Sequence, residues 1–206
     1  AVGYQVMDKL TTGINNVAMG ANALGALTTG ASNVGVGGDA LVLLVTGTDN
    51  TAIGYLAGRK YVGTRMTAIG YLAGGGVTAD MGDGGFYGGA RAGYLARGNS
   101  NVALGQDSMY NNSGTKCIAI GNTAMYGGGT TDTDHSIALG YQSLLAITTE
   151  DHNIGIGRQA GVGITTATDN VFIGDNAGAA TTTLGYNIAI GSDALKAATG
   201  VTASVV

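Results

Sequence analysis

The side chains that most often carry out catalysis are few in this 206-residue chain and are scattered along it. It has two histidines, His135 and His152, and one cysteine, Cys117. The two histidines fall in different segments, the cysteine has no evident base, and no Gly-x-Ser-x-Gly motif marks a nucleophile. A lone cysteine cannot form an intrachain disulfide, so we interpret Cys117 as a small buried apolar residue. The sequence therefore predicts neither an enzyme nor a cofactor.

Acidic side chains gather in two segments, residues 77–86 and 127–136. The first contains Asp80 and Asp83, and the second contains Asp132 and Asp134 beside His135. Oxygen-rich loops can bind Ca²⁺, but these offer fewer than six ligands and lack the calcium-binding nonapeptide of β-rolls. We expect no metal site. Because the two segments interrupt a monotonous surface, we predict instead that they contact a receptor.

Composition excludes several classes of protein. The net charge is −4 and the nine basic residues are spread out, so no cationic stripe favours nucleic-acid binding. No apolar run approaches the roughly 18 residues that span a bilayer, and the N-terminus has no signal-peptide pattern. The chain contains 39 glycines and no proline. Such a glycine content indicates a periodic structure.

One short unit, Asn-Val-Ala-Ile-Gly-x-x-Ala-Leu, recurs from end to end. We number its positions from the asparagine and call the glycine at position five the hub glycine. The hub glycines are 16 to 19 residues apart, and they are Gly3, Gly20, Gly37, Gly54, Gly70, Gly89, Gly105, Gly121, Gly140, Gly157, Gly174 and Gly191. The coils that end at Gly89 and Gly140 are the longest, and they contain the two acidic segments.

The unit has the period of a β-strand. Positions two and four are mostly branched and apolar, whereas position three is nearly always Ala or Gly. The hub glycine then indicates a turn, and we expect a return strand to begin at residues such as Ala23, Ala40 and Ala194. One unit is one coil. The sequence thus predicts an all-β, parallel β-solenoid of about twelve coils, on the order of 55–60 Å long at about 4.8 Å per coil.

A coil this thin encloses little apolar volume, so we expect it to associate with other copies. The small residues at position three favour close approach of a neighbouring chain. We therefore predict a parallel homotrimer. Its interface is predicted to contain Ala18, Ala52, Ala68, Ala103, Ala119, Ala138 and Ala189.

The repeat is incomplete at both ends. The chain begins at position three of a first unit, and Ser204 to Val206 match the first three positions of a further one. Neither end resembles the polar capping repeat that solenoids need. We interpret residues 1–206 as a single solenoid domain that is a segment of a longer fibre.

The repeated Asn-Val-Ala-Ile-Gly-x-x-Ala resembles the YadA-like head repeat, the left-handed parallel β-roll of trimeric autotransporter adhesins, and related repeats of phage tail fibres. The resemblance covers essentially the whole chain. It implies a homotrimer that lies outside the cell, on a virion or a bacterial surface, and that binds a cell-surface receptor or glycan. Adhesin heads usually have shorter coils, so the expectation here is a phage or phage-like tail fibre, with an adhesin head as the alternative.

Repeated Thr and Tyr leave other functions open. Thr-Thr pairs recur at the same place in five coils, a pattern typical of ice-binding solenoids, but they are missing between Gly54 and Gly121; the pairs are Thr11/Thr12, Thr28/Thr29, Thr148/Thr149, Thr165/Thr166 and Thr182/Thr183. The simpler interpretation is turn residues whose hydroxyls bond their own backbone. Four tyrosines directly follow hub glycines and could contact sugar rings; they are Tyr4, Tyr55, Tyr71 and Tyr141.

Overall fold

The chain folds as a parallel β-solenoid in which every coil stacks on the next in sequence order. The computed structural model describes residues 1–76, 82–127, 133–149, 151–180, 183 and 185–197. Within these residues, eleven three-residue strands form one sheet of order β1 to β11, and all pairings between them are parallel. The predicted fold class is confirmed. In the described part of the chain, strands occur in eleven coils rather than twelve, because the incomplete first coil contributes only the bridge between Val2 and Met19.

The strands occupy positions two to four of each unit. They are β1 (Val17–Met19), β2 (Val34–Val36), β3 (Thr51–Ile53), β4 (Thr67–Ile69), β5 (Phe86–Gly88), β6 (Val102–Leu104), β7 (Ile118–Ile120), β8 (Ile137–Leu139), β9 (Ile154–Ile156), β10 (Val171–Ile173) and β11 (Ile188–Ile190). Each position pairs with the same position in the next coil, including Thr67 with Phe86 across a long coil. The extra residues of the long coils therefore leave the register unchanged.

Turns, not a second strand, complete each described coil. After Gly20 three overlapping turns follow, in which Ala23, Gly25 and Leu27 donate backbone hydrogen bonds to the carbonyls of Gly20, Asn22 and Leu24. Asn22 and Leu24 have φ of +57° and +53°. The predicted return strand at Ala23, Ala40 and Ala194 is therefore wrong. Alternation between right- and left-handed backbone bends the chain continuously, whereas a strand would run straight.

The backbone groups of the turns are satisfied between coils. Leu24 N–H donates to the Ala40 carbonyl of the following coil at 3.0 Å, and Asn22 N–H donates to the Tyr4 carbonyl of the preceding coil at 2.9 Å. A buried, unpaired backbone group would cost free energy. The stack of coils, and not the single coil, is therefore the stable unit.

Candidate functional site

The hub glycines stack on one another along the solenoid. All twelve have φ between +123° and +137°, a region that is essentially restricted to glycine. A Cβ atom built on Gly157 would lie 2.5 Å from the Gly174 carbonyl oxygen of the next coil. Two reasons, backbone conformation and close approach of the next coil, thus require glycine at this position.

The small residues at position three point into the coil, not toward a neighbouring chain. Their side chains are 0–2% exposed in the isolated chain; the seven alanines that we had assigned to the trimer interface are Ala18, Ala52, Ala68, Ala103, Ala119, Ala138 and Ala189. That assignment is wrong. Position three is small because Leu24 and its equivalents fill the interior: a Cβ on Gly35 would lie 3.1 Å from Leu24 Cγ.

The interior keeps its volume constant by exchanging large and small residues. Most coils have Leu or Met at the fourth residue after the hub, such as Leu24, but others have glycine there. Phe172 fills the space beside two such glycines, with its ring 3.0 Å from a Cβ built on Gly161 and 2.7 Å from one built on Gly178. Tyr87 packs against Gly93 in the same way. Beside Gly58, which also lacks a large side chain, the methyl group of Met66 fills the space instead. A large residue from another position of the repeat therefore fills the interior where the chain lacks a Leu or Met.

The opposite side of the sheet is apolar and uncovered. We call positions two and four of β1 to β11 the outward face. Val17 is 55% exposed, Met19 50% and Ile120 40%, although all are apolar. The face has no charged residue on any of the eleven strands. Eleven strands at about 4.8 Å make it a strip on the order of 50 Å long. A continuous apolar strip on a protein surface indicates an interaction site.

Buried asparagines at position one tie neighbouring coils together. Asn33 Nδ2 donates to Asn16 Oδ1 at 3.1 Å and to the Gly47 carbonyl at 2.8 Å. Asn33 Oδ1 accepts from the backbone N–H of Asn50 at 3.1 Å. The same ladder recurs from Asn153 to Asn187. These amides satisfy backbone groups of adjacent coils, so their role is structural.

Aspartates of the acidic segments take part in a similar ladder. Asp83 Oδ1 accepts from Thr64 N–H at 2.9 Å, and this hydrogen bond lowers the pKa of the carboxyl group. Asp134 Oδ1 accepts from Thr115 N–H at 2.6 Å. Asp80 and Asp132 lie outside the described residues. Asp83 and Asp134 therefore connect coils, and their role as receptor contacts stays a prediction.

The two histidines stack although they belong to different coils. The ring centroids of His135 and His152 are 5.3 Å apart and the planes differ by 3°. Both side chains are exposed. Within the described residues, no three His, Cys, Asp or Glu side chains come together as a metal site. The Cys117 thiol is buried, which raises its pKa to about 11, so it is protonated at neutral pH and is a poor nucleophile.

Tyrosines form a second stack that the sequence analysis missed. Tyr94, Tyr110 and Tyr126 occupy the fifth residue after three consecutive hubs, with centroid distances of 5.3 and 5.0 Å. Their shared place in the repeat was the signal that could have revealed them. Tyr55 and Tyr71 also stack, at 6.1 Å. Tyr55 and Tyr71 nevertheless remain 57% and 50% exposed, so their contact with sugar rings stays a prediction.

The threonine pairs bond between coils. Thr11 Oγ1 donates to the Thr28 carbonyl at 3.0 Å, and Thr28 Oγ1 donates to the Val45 carbonyl at 3.1 Å. Thr148 Oγ1 donates to the Thr165 carbonyl at 2.7 Å. The acceptors belong to the next coil, not to the residue's own turn as we had expected. These hydroxyls hold neighbouring coils together, so fewer of them remain to order water at an ice-binding surface.

No protein-family model, curated protein or solved structure matches this chain. In the part of the chain that the structure describes, no helix is long and apolar enough to cross a bilayer.

Proposed function

We propose that this chain is a segment of an extracellular fibre that assembles as a parallel homotrimer and mediates attachment to a cell surface. The observation that supports the proposal is the outward face, an apolar strip along the whole sheet that no part of the described chain covers. A second copy is the occupant that fits best. It has the same coil spacing, so its apolar side chains meet this strip at every level.

The kind of fibre follows from the resemblance of the repeat. A phage or phage-like tail fibre is the first candidate, and a bacterial adhesin head is the alternative. Both need a stiff rod that holds a receptor-binding surface away from its base, and stacked coils supply such a rod. Ice binding is less well supported, because the Thr hydroxyls at Thr11, Thr28 and Thr148 already donate to carbonyls.

Assembly is tested with one charge placed on or beside the outward face. Ile120→Lys puts an ammonium group on the strip, whereas Asn122→Lys puts the same charge on an exposed residue two positions away. We expect light scattering to find trimers for the unchanged chain and for N122K, and monomers for I120K. Equal masses for the two variants would contradict assembly through the outward face. A monomeric unchanged chain would contradict the homotrimer.

Attachment is tested by shortening the two long coils to 17 residues while Asp83 and Asp134 are kept. Labelled fibres are incubated with bacterial cells and with a glycan array. We expect the shortened fibre to fold and to lose the binding that the unchanged fibre shows. If the shortened fibre binds equally well, recognition lies outside residues 77–86 and 127–136. Thermal hysteresis in the same preparations would support ice binding instead.

A further inference from the structure

One strand of the outward face differs from the other ten. Positions two and four carry Val, Thr, Ile, Met or Leu everywhere except in β5, where they are Phe86 and Gly88. Phe86 is 38% exposed. The strand therefore presents a large ring and, two residues further on, a hollow at the same height on the rod.

No contact among the described residues requires glycine at position 88. Its φ is not among the positive values. Cδ2 of Leu104 in the next coil lies 2.8 Å from where a Cβ would be, so it fills part of the hollow, but it is the end of a flexible side chain that can move aside. The hub glycines, by contrast, face the backbone of the next coil. The missing side chain at Gly88 thus points to a requirement outside the chain.

A neighbouring copy in parallel orientation accounts for the glycine. When two identical rods are related by rotation about an axis along the fibre, position two of one copy faces position four of the other at the same height. At the heights of the other ten strands, medium-sized side chains of the two copies meet. At β5 the Phe86 ring meets the hollow of Gly88. In antiparallel rods aligned end to end, β5 would face β7, where Ile118 and Ile120 leave no hollow.

We propose that Phe86 of one copy inserts beside Gly88 of the next and thereby fixes the register between chains. The inference rests on the self-association proposed above. A contact that fixes the register is needed because the other ten strands present nearly equivalent side chains. A slip of one coil, about 4.8 Å, therefore exchanges one apolar contact for a similar one. Only at β5 does the slip press a phenyl ring against a branched side chain and leave a void beside glycine.

Disulfide cross-linking measures the register directly. The background variant is Cys117→Ser, since Ser136 occupies the same position in the next coil. Val102→Cys and Leu104→Cys change positions two and four of β6, and Leu139→Cys lies two coils away, in β8. A disulfide needs Cα atoms within about 7 Å, which excludes a shift of two coils. Co-expressed V102C and L104C chains are therefore expected to cross-link on oxidation, whereas V102C and L139C chains are not.

The same pairs are then examined in a Phe86→Val/Gly88→Val background, which gives β5 the side chains of its neighbours. We expect light scattering to find the oligomer retained, the V102C–L104C cross-link reduced several-fold and the V102C–L139C cross-link present. An unchanged cross-linking pattern would overturn the role of Phe86. An oligomer without any V102C–L104C cross-link would overturn the parallel, in-register contact, and a monomer would overturn the proposed assembly itself.

Discussion

The inward and outward positions of the same three-residue strands obey opposite rules. Position three is buried completely and holds Ala or Gly, except where Tyr87 and Phe172 replace them. Positions two and four are mostly larger and none of them is fully buried, although most are only partly exposed. The comparison teaches that side-chain size does not indicate burial in a thin solenoid. Small residues lie inside because the turns fill the interior, and large ones lie outside, where another copy can cover them.

Removing a large inward side chain is expected to have the largest effect on stability. Tyr87→Ala leaves a cavity, and we expect a loss of about 3–5 kcal/mol in the free energy of unfolding. Adding Gly93→Leu should recover much of this loss. The double variant would have the same pair of residues as Ala18 and Leu24, which occupy the equivalent positions of another coil. The backbone also permits the change, because Gly93 has a φ of +59°, close to that of Leu24. Denaturant unfolding of both single variants and the double variant measures the coupling. If the double variant is no more stable than Y87A, the interior does not exchange volume in this way.

Substitutions at two hub glycines distinguish the cost of backbone strain from the cost of a clash between coils. Gly157→Ala combines a φ of +132° with a clash against the next coil, whereas Gly191 has a φ of +126° and no atom of the described residues within 4 Å of a built Cβ. We expect Gly157→Ala to cost about 2–4 kcal/mol and Gly191→Ala about 1–2 kcal/mol. Thermal melts of the two variants test the difference. Equal losses would mean that strain alone restricts the position to glycine.

Enlarging an inward alanine should destabilise the coil itself. Ala119 is fully buried, so Ala119→Leu overpacks the interior and is expected to lower stability by about 1–3 kcal/mol. The loss should be independent of protein concentration, because the side chain does not lie between chains. A loss of stability that appears only at concentrations where the chains assemble would indicate that Ala119 lies at the interface between chains.

The adjacent outward residue is expected to show the smallest effect on folding. Ile120→Thr keeps the branched shape, and Thr51 and Thr67 already occupy the outward face. At a dilution where the chain is monomeric, we expect a change of less than about 0.5 kcal/mol. Assembly should nevertheless weaken, as measured by sedimentation over a range of concentrations. A large loss of monomer stability would show that the outward face also supports the single chain.

The repeat made most of the fold predictable. Hub spacing and the alternation at positions two to four indicated the strands and their order, and the long coils keep the register that the hub glycines imply. The return strand was not predictable in this way. Residues such as Asn22 and Leu24 carry no sequence mark that they adopt positive φ, and Leu does so only because the stacked coils enforce it.

The candidate surface was predicted only in part. Alternation established that one face of the strand holds small residues and the other holds branched ones, but alternation is symmetric and does not say which face is inside. The stack of Tyr94, Tyr110 and Tyr126 was visible in the spacing once the fold was known. The contact of His135 with His152 likewise follows from their equal place in consecutive coils.

The sequence by itself determined the period, the places of the glycines and the coil-by-coil register, because each depends on a local rule repeated along the chain. Only the tertiary structure decided which side of the sheet is the interior. That choice depends on where the turns place Leu24, Leu41 and their equivalents, which are buried against position three. Such packing joins residues of different coils, and no single unit contains the information that specifies it.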